Sequence, residues 1–477
     1  MSTDLLPTIG LEVHAELKTQ TKMFCSSKNN ADETRPNVNV CPVCLAHPGT
    51  LPVINRQAVH SVLRVGTAIG GKVADYTEFD RKNYFYPDLP KGYQISQLEF
   101  PLISGGTLNG VAITRIHLEE DTASSIHDEV SGETRIDYNR AGVPLMELVT
   151  EPVIHSGKEA GDFARELQTL LRYLGVSDAN MEKGEMRLEA NISVGKNGIL
   201  GTKVEVKNIN SFGIMERAVA YEIERQKALI ARGEKVVQET RGWNDAKQET
   251  FSQRVKEGSA DYRYFPDPDL PSLKLTEIPE FSDEALRATL PELPSARRDR
   301  YIGWGVKPID ADQFVSSPAL GNFFDEIAAV NSDLEYIRRA ANYISNDLVS
   351  IIRDIESRDT VSVDFIPIQA DRFSKIMVLI GEGKLTSRAA KDLLLICITV
   401  DGDPETVAKE KGLLTDSSLD VGAVVDEIIA KNSNVVADYR AGKIAAMQFL
   451  VGQGMKALKG AVDPVRMKSL LEERLKV

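Results

Sequence analysis

Within Ile9-Gly10-Leu11-Glu12-Val13-His14-Ala15-Glu16-Leu17, three ionisable side chains recur at every second position: Glu12, His14 and Glu16. Read as a strand, the stretch places Ile9, Leu11, Val13, Ala15 and Leu17 on one face. The acids and the imidazole share the other, about 6–7 Å apart. A half-exposed strand with one wet face has the same pattern, and the stretch alone does not separate the two readings. Two further carboxylates bear on the choice. Glu120 shares a strand face with Ile116 and Leu118, and Glu147, in Pro144-Leu145-Met146-Glu147-Leu148-Val149, has apolar neighbours on both faces. Acidic side chains are rarely buried without a partner. Carboxylates with an imidazole suit Mg²⁺ or Mn²⁺, which prefer oxygen ligands, tolerate imidazole and orient phosphates. Glu12, His14, Glu120 and Glu147 are therefore the candidate catalytic set, although alternation within a strand does not establish that they converge.

Other groups could support such chemistry. The stretch Arg81-Lys82-Asn83-Tyr84-Phe85-Tyr86-Pro87-Asp88 is aromatic and basic, as are loops that stack on nucleotides and place charges beside phosphates. An ordinary packed surface loop has the same composition. Lys203 and Lys207 share one face of a candidate strand with Glu205 between them, which is also how a solvated face reads. Cys25, Cys41 and Cys44 lie within twenty residues, and Cys41-Pro42-Val43-Cys44 is a good zinc half-site. The other half offers one cysteine, so Zn²⁺ would need His47 or water, and a knuckle held by packing is the alternative. Neither a Gly-x-x-x-x-Gly-Lys-Ser/Thr loop nor a Gly-x-Gly-x-x-Gly after a strand occurs, so a bound ATP would not sit in either standard cradle.

These residues must be positioned by elements that the rest of the chain implies. At about 150 residues per domain, 477 residues suggest roughly three domains. Residues 1–293 mix strand alternation with two helices. One opens on the Ser156–Glu159 capping box and stops at Gly175, and the other runs from near Ser211 to Gly233. The mixture predicts an α+β domain on antiparallel sheet, a cradle for the candidate site. A Pro-rich break follows. Residues 294–404 read as an all-α domain and 405–477 as a small helical tail domain. From Lys431 onward the chain has nine Lys or Arg against four Asp or Glu, within a chain of net charge −13. The net charge argues against coating nucleic acid by bulk charge, while the tail could dock on a phosphate backbone. No apolar run approaches the roughly 20 residues of a membrane span. The N-terminus has no basic start followed by an apolar stretch, so the expectation is a cytoplasmic protein.

Four stretches resemble the GatB family, whose members are the B subunits of the aspartyl/glutamyl-tRNA(Asn/Gln) amidotransferase. They are Ile9 to His14, Arg81 to Asp88, Asp261-Tyr262-Arg263-Tyr264-Phe265-Pro266-Asp267-Pro268-Asp269-Leu270-Pro271, and Phe449-Leu450-Val451-Gly452-Gln453 with Met455-Lys456. The resemblance covers essentially the whole chain. It implies a ligase that corrects misacylated Glu-tRNA(Gln), and often Asp-tRNA(Asn), in protein biosynthesis. ATP would phosphorylate the side-chain carboxylate, and ammonia from an amidase partner (GatA) would displace the phosphate. A small third partner (GatC) would complete a heterotrimer, and the tail would grip the tRNA. Carried over by position, the resemblance implies Mg²⁺ on Glu12, His14, Glu120 and Glu147, joined by Glu189 where the family commonly has Asp. Lys82, Asn83, Tyr84, Lys203 and Lys207, from the basic stretches above, are the ATP-contact candidates. The family's zinc knuckle pairs Cys-x-Cys with Cys-x-x-Cys. Here Ser27 replaces one cysteine, leaving Cys25, Cys41 and Cys44 for zinc.

Overall fold

The computed structural model describes residues 5–30, 32–128, 130–196, 199–255, 262–356, 365–415, 421–457 and 464–475. Asp261, first residue of one of the four motifs, lies outside them. The fold is α+β, in two compact units, residues 1–294 and 295–477.

The first unit is built on a ten-stranded sheet. Along its main path the order is Glu249–Val255, Glu239–Asn244, Val204–Ile209, Met186–Lys196, Leu5–Glu16, Pro144–Thr150, Val111–Glu120, Ile103–Ser104 and Lys72–Val73. Every pairing on this path is antiparallel except that of Val204–Ile209 with Glu239–Asn244. Leu5–Glu16 is thus an interior strand, flanked by the strands that carry Glu147 and Glu189. Its apolar set, Ile9, Leu11, Val13, Ala15 and Leu17, is at most 2% exposed and belongs to the main core. A one-residue slip would turn that set out and the acids in, so burial of one face sets the register.

The helix Gly157–Tyr173 brings Phe163, Leu167, Leu170 and Leu171 to the same core. Ser156 caps it by accepting from the Glu159 N–H, and the Glu159 carboxylate accepts from the His155 N–H at 2.9 Å. Its neighbour, Phe212–Ala231, crosses so closely that a Cβ on Gly157 would lie 2.3 Å from the Glu216 carbonyl oxygen. Only glycine fits at that crossing. A three-stranded sheet of Asp80–Asn83, Tyr93–Ser96 and Phe265–Pro266 has its own strand pairing and packs against Val111–Glu120 of the large one.

The described parts of the second unit are helical. Its last helices, Val421–Lys431, Ser433–Arg440, Ile444–Ala457 and Pro464–Leu475, enclose a core of their own around Val425, Met447, Leu450, Met467 and Leu471. Among the described residues, no helix is long and apolar enough to cross a membrane.

Candidate active site

Strand register gathers ionisable groups from five adjacent strands onto one face of the large sheet. His14 sits opposite Glu147 on one neighbour, and Glu12 opposite Glu189 on the other. One strand further out, Glu147 faces His117, and Leu145 faces Glu119. On the opposite flank Asn191 faces Glu205. Two groups result. In the first, ligand atoms of His14, Glu119 and Glu147 lie within 4.8 Å of one another; in the second, those of Glu12, Glu189 and Glu205 do.

The first group centres on Glu147, shared by two imidazoles: His14 Nε2 is 3.4 Å from its Oε2, and His117 Nε2 is 3.2 Å from it. His14 Nε2 is also 3.6 Å from Glu119 Oε1. Glu119 and His117 are each 2% exposed and Glu147 8%. Burial would lower the His14 pKa, but the hydrogen bond and charge of Glu147, with Glu119 and Glu189, outweigh it and push it up to about 9. Burial would raise that of Glu147, but His117 and His14 hold it well below the usual carboxylate range. In the second group, Asn191 Nδ2 donates to Glu12 Oε1 at 2.8 Å, and Lys207 Nζ lies 2.7 Å from Glu189 and 3.8 Å from Glu205.

A separate device brings a lysine to the first group. Arg81 pairs with Asp267 and Asp269, each at 2.9 Å, and stacks 4.3 Å from the Tyr93 ring centre, tying the small sheet together. Alternation then turns Lys82 the other way. Its ammonium lies 5.0 Å from the Tyr262 ring and 5.9 Å from that of Tyr84. Burial works against the charge, but Glu119, Tyr264 and Glu147 raise the Lys82 pKa, so the ammonium stays charged. Ser96 Oγ donates to Glu119 at 3.1 Å, linking the small sheet to the carboxylates.

The structure thus brings together His14 and Glu147, and places Glu12 with Glu189. It does not bring Glu120 to them. Glu120 shares the face of Ile116 and Leu118, as the alternation implies, and its partner there is a lysine: Lys91 Nζ is 2.5 Å from Oε1, and the Ile95 N–H donates to the same oxygen at 2.9 Å. It helps line a cavity of about 190 Å³ with Cys25, Cys44, Lys91 and Tyr93. Glu119, one residue earlier, is the one that joins the cluster. The clue was Glu12-Val13-His14 met by His117-Leu118-Glu119, the same two residue types two apart on another strand. Glu205 and His117 were likewise not selected from the sequence. Of the ATP-contact candidates, Lys203 is exposed. Asn83 donates to the carbonyls of Arg81, Tyr262 and Arg263, and the Tyr84 hydroxyl donates to Gln94. Those two hold the loop in shape.

Donor chemistry and unpaired atoms test which ions fit. The sheet face offers carboxylates and imidazole, and among its buried polar atoms Asn191 Oδ1, His117 Nδ1 and the Nε atoms of Arg115 and Arg187 have no hydrogen-bond partner. Asn191 Oδ1 is a neutral oxygen donor between strands bearing Glu12 and Glu205, which suits a hard divalent cation. The sulfurs of Cys25, Cys41 and Cys44 also lie within 4.8 Å of one another, with 3.8 Å between those of Cys41 and Cys44. Zn–S bonds of about 2.3 Å place tetrahedral sulfurs about 3.8 Å apart, the separation of Cys41 and Cys44, so three thiols here suit zinc. Ser27 Oγ is 3.7 Å and Lys22 Nζ 3.8 Å from Cys44 Sγ. The hydrogen bond from Cys25 leads the causes that hold the Cys44 thiol down to about 4, and bonding to Cys44 pushes Cys25 up.

Comparison with known proteins agrees along the chain. A family model described as the GatB/GatE catalytic domain matches residues 7–279, and one described as the GatB domain matches residues 322–475. A protein of Thermomicrobium roseum, named as the B subunit of aspartyl/glutamyl-tRNA(Asn/Gln) amidotransferase, is 45% identical over 484 residues, covering 98% of each chain. Proteins of the same name from Carboxydothermus hydrogenoformans and Gloeothece citriformis are 41% and 39% identical, covering 98% and 100% of this chain and 98% of each relative. With both domain models matched and the likeness running nearly end to end, the chain belongs to the GatB family.

Proposed function

We propose that this chain is the kinase and transamidase component of a tRNA-dependent amidotransferase, acting on Glu-tRNA(Gln), Asp-tRNA(Asn) or both. The observation that carries the reading is the band of carboxylates and imidazoles across five strands, within a chain that matches the GatB family along its length. A carboxylate is a poor electrophile towards ammonia. ATP therefore transfers its γ-phosphoryl group to a carboxylate oxygen of the tRNA-bound amino acid, releasing ADP. Ammonia then attacks the acyl carbon; the C–O bond to phosphate breaks, phosphate leaves, and the new C–N bond loses one proton.

Mg²⁺ held by Glu12, Glu189 and Glu205, or by His14, Glu119 and Glu147, would offset the phosphate charge. Lys82, anchored among tyrosines, supplies a fixed positive charge beside Glu119 and Glu147. The reaction needs shielding from water, because the acyl phosphate hydrolyses readily. It also needs ammonia made by an amidase partner (GatA), with the small partner GatC completing the assembly. The helical tail, residues 405–477, is the proposed grip on the tRNA. It includes Lys456, and Lys459, which lies outside the described residues.

The test supplies ammonium as nitrogen donor, bypassing the amidase, and follows Glu-tRNA(Gln) conversion. Glu12→Gln is expected to lower ATP-dependent amidation by about 10²–10³-fold while tRNA binding persists. A normal rate in the assembled variant would remove Glu12 from the machinery.

The three-thiol knuckle is proposed as a zinc site with Ser27 beside its open corner. Ser27→Cys completes four thiolates and is expected to tighten zinc at least about tenfold in competition with a chromophoric chelator. Equal affinities would place Ser27 away from that corner.

A further inference from the structure

The Glu12–Glu189–Glu205 group already contains a cation of the protein's own. Lys207 Nζ is 2.7 Å from Glu189 Oε2 and 3.8 Å from Glu205 Oε1. Lys207 belongs to the same strand as Glu205, two residues along, so strand geometry delivers the acid and the base to one face. Three carboxylates gather around one lysine here, with the Thr240 hydroxyl donating to Glu205 at 2.8 Å, and acids brought this close at a partly buried site favour a further cation. Asn191 sharpens this. Its amide nitrogen donates to Glu12, and its buried oxygen, on the strand that carries Glu189, has no hydrogen-bond donor. The ammonium also stands against two of the three acids a divalent ion would use, and the two cations repel at such range. Lysine is a point charge on a flexible stem and a common phosphate ligand, so it has somewhere to go when a nucleotide arrives.

We infer that Lys207 is the resident counter-cation of this site: its ammonium holds Glu189 and Glu205 until a nucleotide phosphate draws it away, which makes divalent-cation uptake depend on the nucleotide. Lys207 is thus a positioning residue. The inference rests on the proposal that this sheet face takes a divalent cation for ATP chemistry. Linkage makes the coupling reciprocal, so the cation must strengthen nucleotide binding by the same factor.

The test titrates Mn²⁺ by electron paramagnetic resonance into the full-length chain, with and without a non-hydrolysable ATP analogue. The wild type is expected to bind Mn²⁺ weakly alone and at least about tenfold more tightly with the analogue. Lys207→Gln is expected to bind Mn²⁺ about tenfold more tightly than the wild type when no nucleotide is present, and to lose most of the response to the analogue. Lys207→Arg, which keeps the charge, is expected to keep the weak binding of the wild type without nucleotide. Unchanged or weaker Mn²⁺ binding by Lys207→Gln, with the nucleotide response intact, overturns the inference and leaves the cation site standing. Mn²⁺ affinity that is indifferent to Glu12→Gln and Glu205→Gln overturns the cation site and the inference with it. A melting temperature for each variant confirms that the folded chain is being titrated.

Discussion

Glu147→Gln and Glu119→Gln, made separately, should each lower ammonium-dependent amidation of Glu-tRNA(Gln) by on the order of 10²–10³-fold, with tRNA affinity retained. Glu147 is the more severe of the two. Its carboxylate is the shared acceptor of His14 and His117, and as an amide it leaves His14 with Glu119 and takes this anion from His117. Breaking a buried charge pair by removing one partner typically costs about 3–5 kcal/mol, so Glu147→Gln should also lower the denaturation midpoint. Glu119→Gln removes one contact to His14 and a charge beside Lys82, keeps the hydrogen-bonding shape that meets Ser96, and should cost less stability than Glu147→Gln. Glu120→Gln is the control. Its carboxylate is engaged by Lys91 and the Ile95 N–H, so the substitution should leave Mn²⁺ affinity unchanged. A wild-type amidation rate in Glu119→Gln, or lost Mn²⁺ affinity in Glu120→Gln, would return the assignment to the residue the sequence suggested.

The second large effect is on stability against pH. His14, ordinarily near 6.5, is held up to about 9 in the folded chain by Glu147, Glu119 and Glu189, against the opposing effect of burial. A raised folded pKa means that the protonated imidazole stabilises the fold. That stabilisation is complete below about pH 6.5 and is lost as pH rises through about 9, a span worth about 3 kcal/mol. Glu16 acts in the same sense. Burial and then the charge of Asp121 push its carboxyl up to about 8, against Arg187 and Arg140, so its contribution is also lost as pH rises. Denaturant midpoints at pH 6.5 and 9.5, measured in metal-free buffer, should therefore fall in the wild type. The fall should shrink in His14→Gln and in Glu16→Gln, and most in the double variant. A drop of wild-type size in His14→Gln would show that Glu147 does not hold a protonated His14.

The two carboxyl-rich groups explain why a single strand was so informative. Glu12 and His14 lie two residues apart on the interior strand, so each meets a different neighbour at its own level: Glu189 across one edge, Glu147 across the other. One motif thereby seeds both groups, and Lys82 and Lys207 each supply a positive charge to one of them. Cys25, Cys41 and Cys44 come from loops and meet beside a different space, the cavity that Glu120 helps to line.

Much of this was determined locally. Period-two alternation is a property of the backbone, so the residues of Leu5–Glu16 that point together could be read without a structure. The capping box at Ser156 and the glycine stop at Gly175 are equally local. The long motifs that resemble the GatB family needed no coordinates either. What only the tertiary structure decided is register between strands. Glu119 and Glu120 are adjacent, both acidic and both nearly buried. The choice between them depends on which face meets the Glu147 strand, and that is set by pairing with Leu145 and Pro144. Alternation does turn the Glu120 carboxylate inward, but a buried acid signals only that a partner exists, and the partner the structure gives it is Lys91. Glu205 and His117 escaped for the same reason. Each is an ordinary side chain on its own strand, and gains its meaning from a neighbour far away in sequence, brought close by hydrogen bonds that no single stretch encodes.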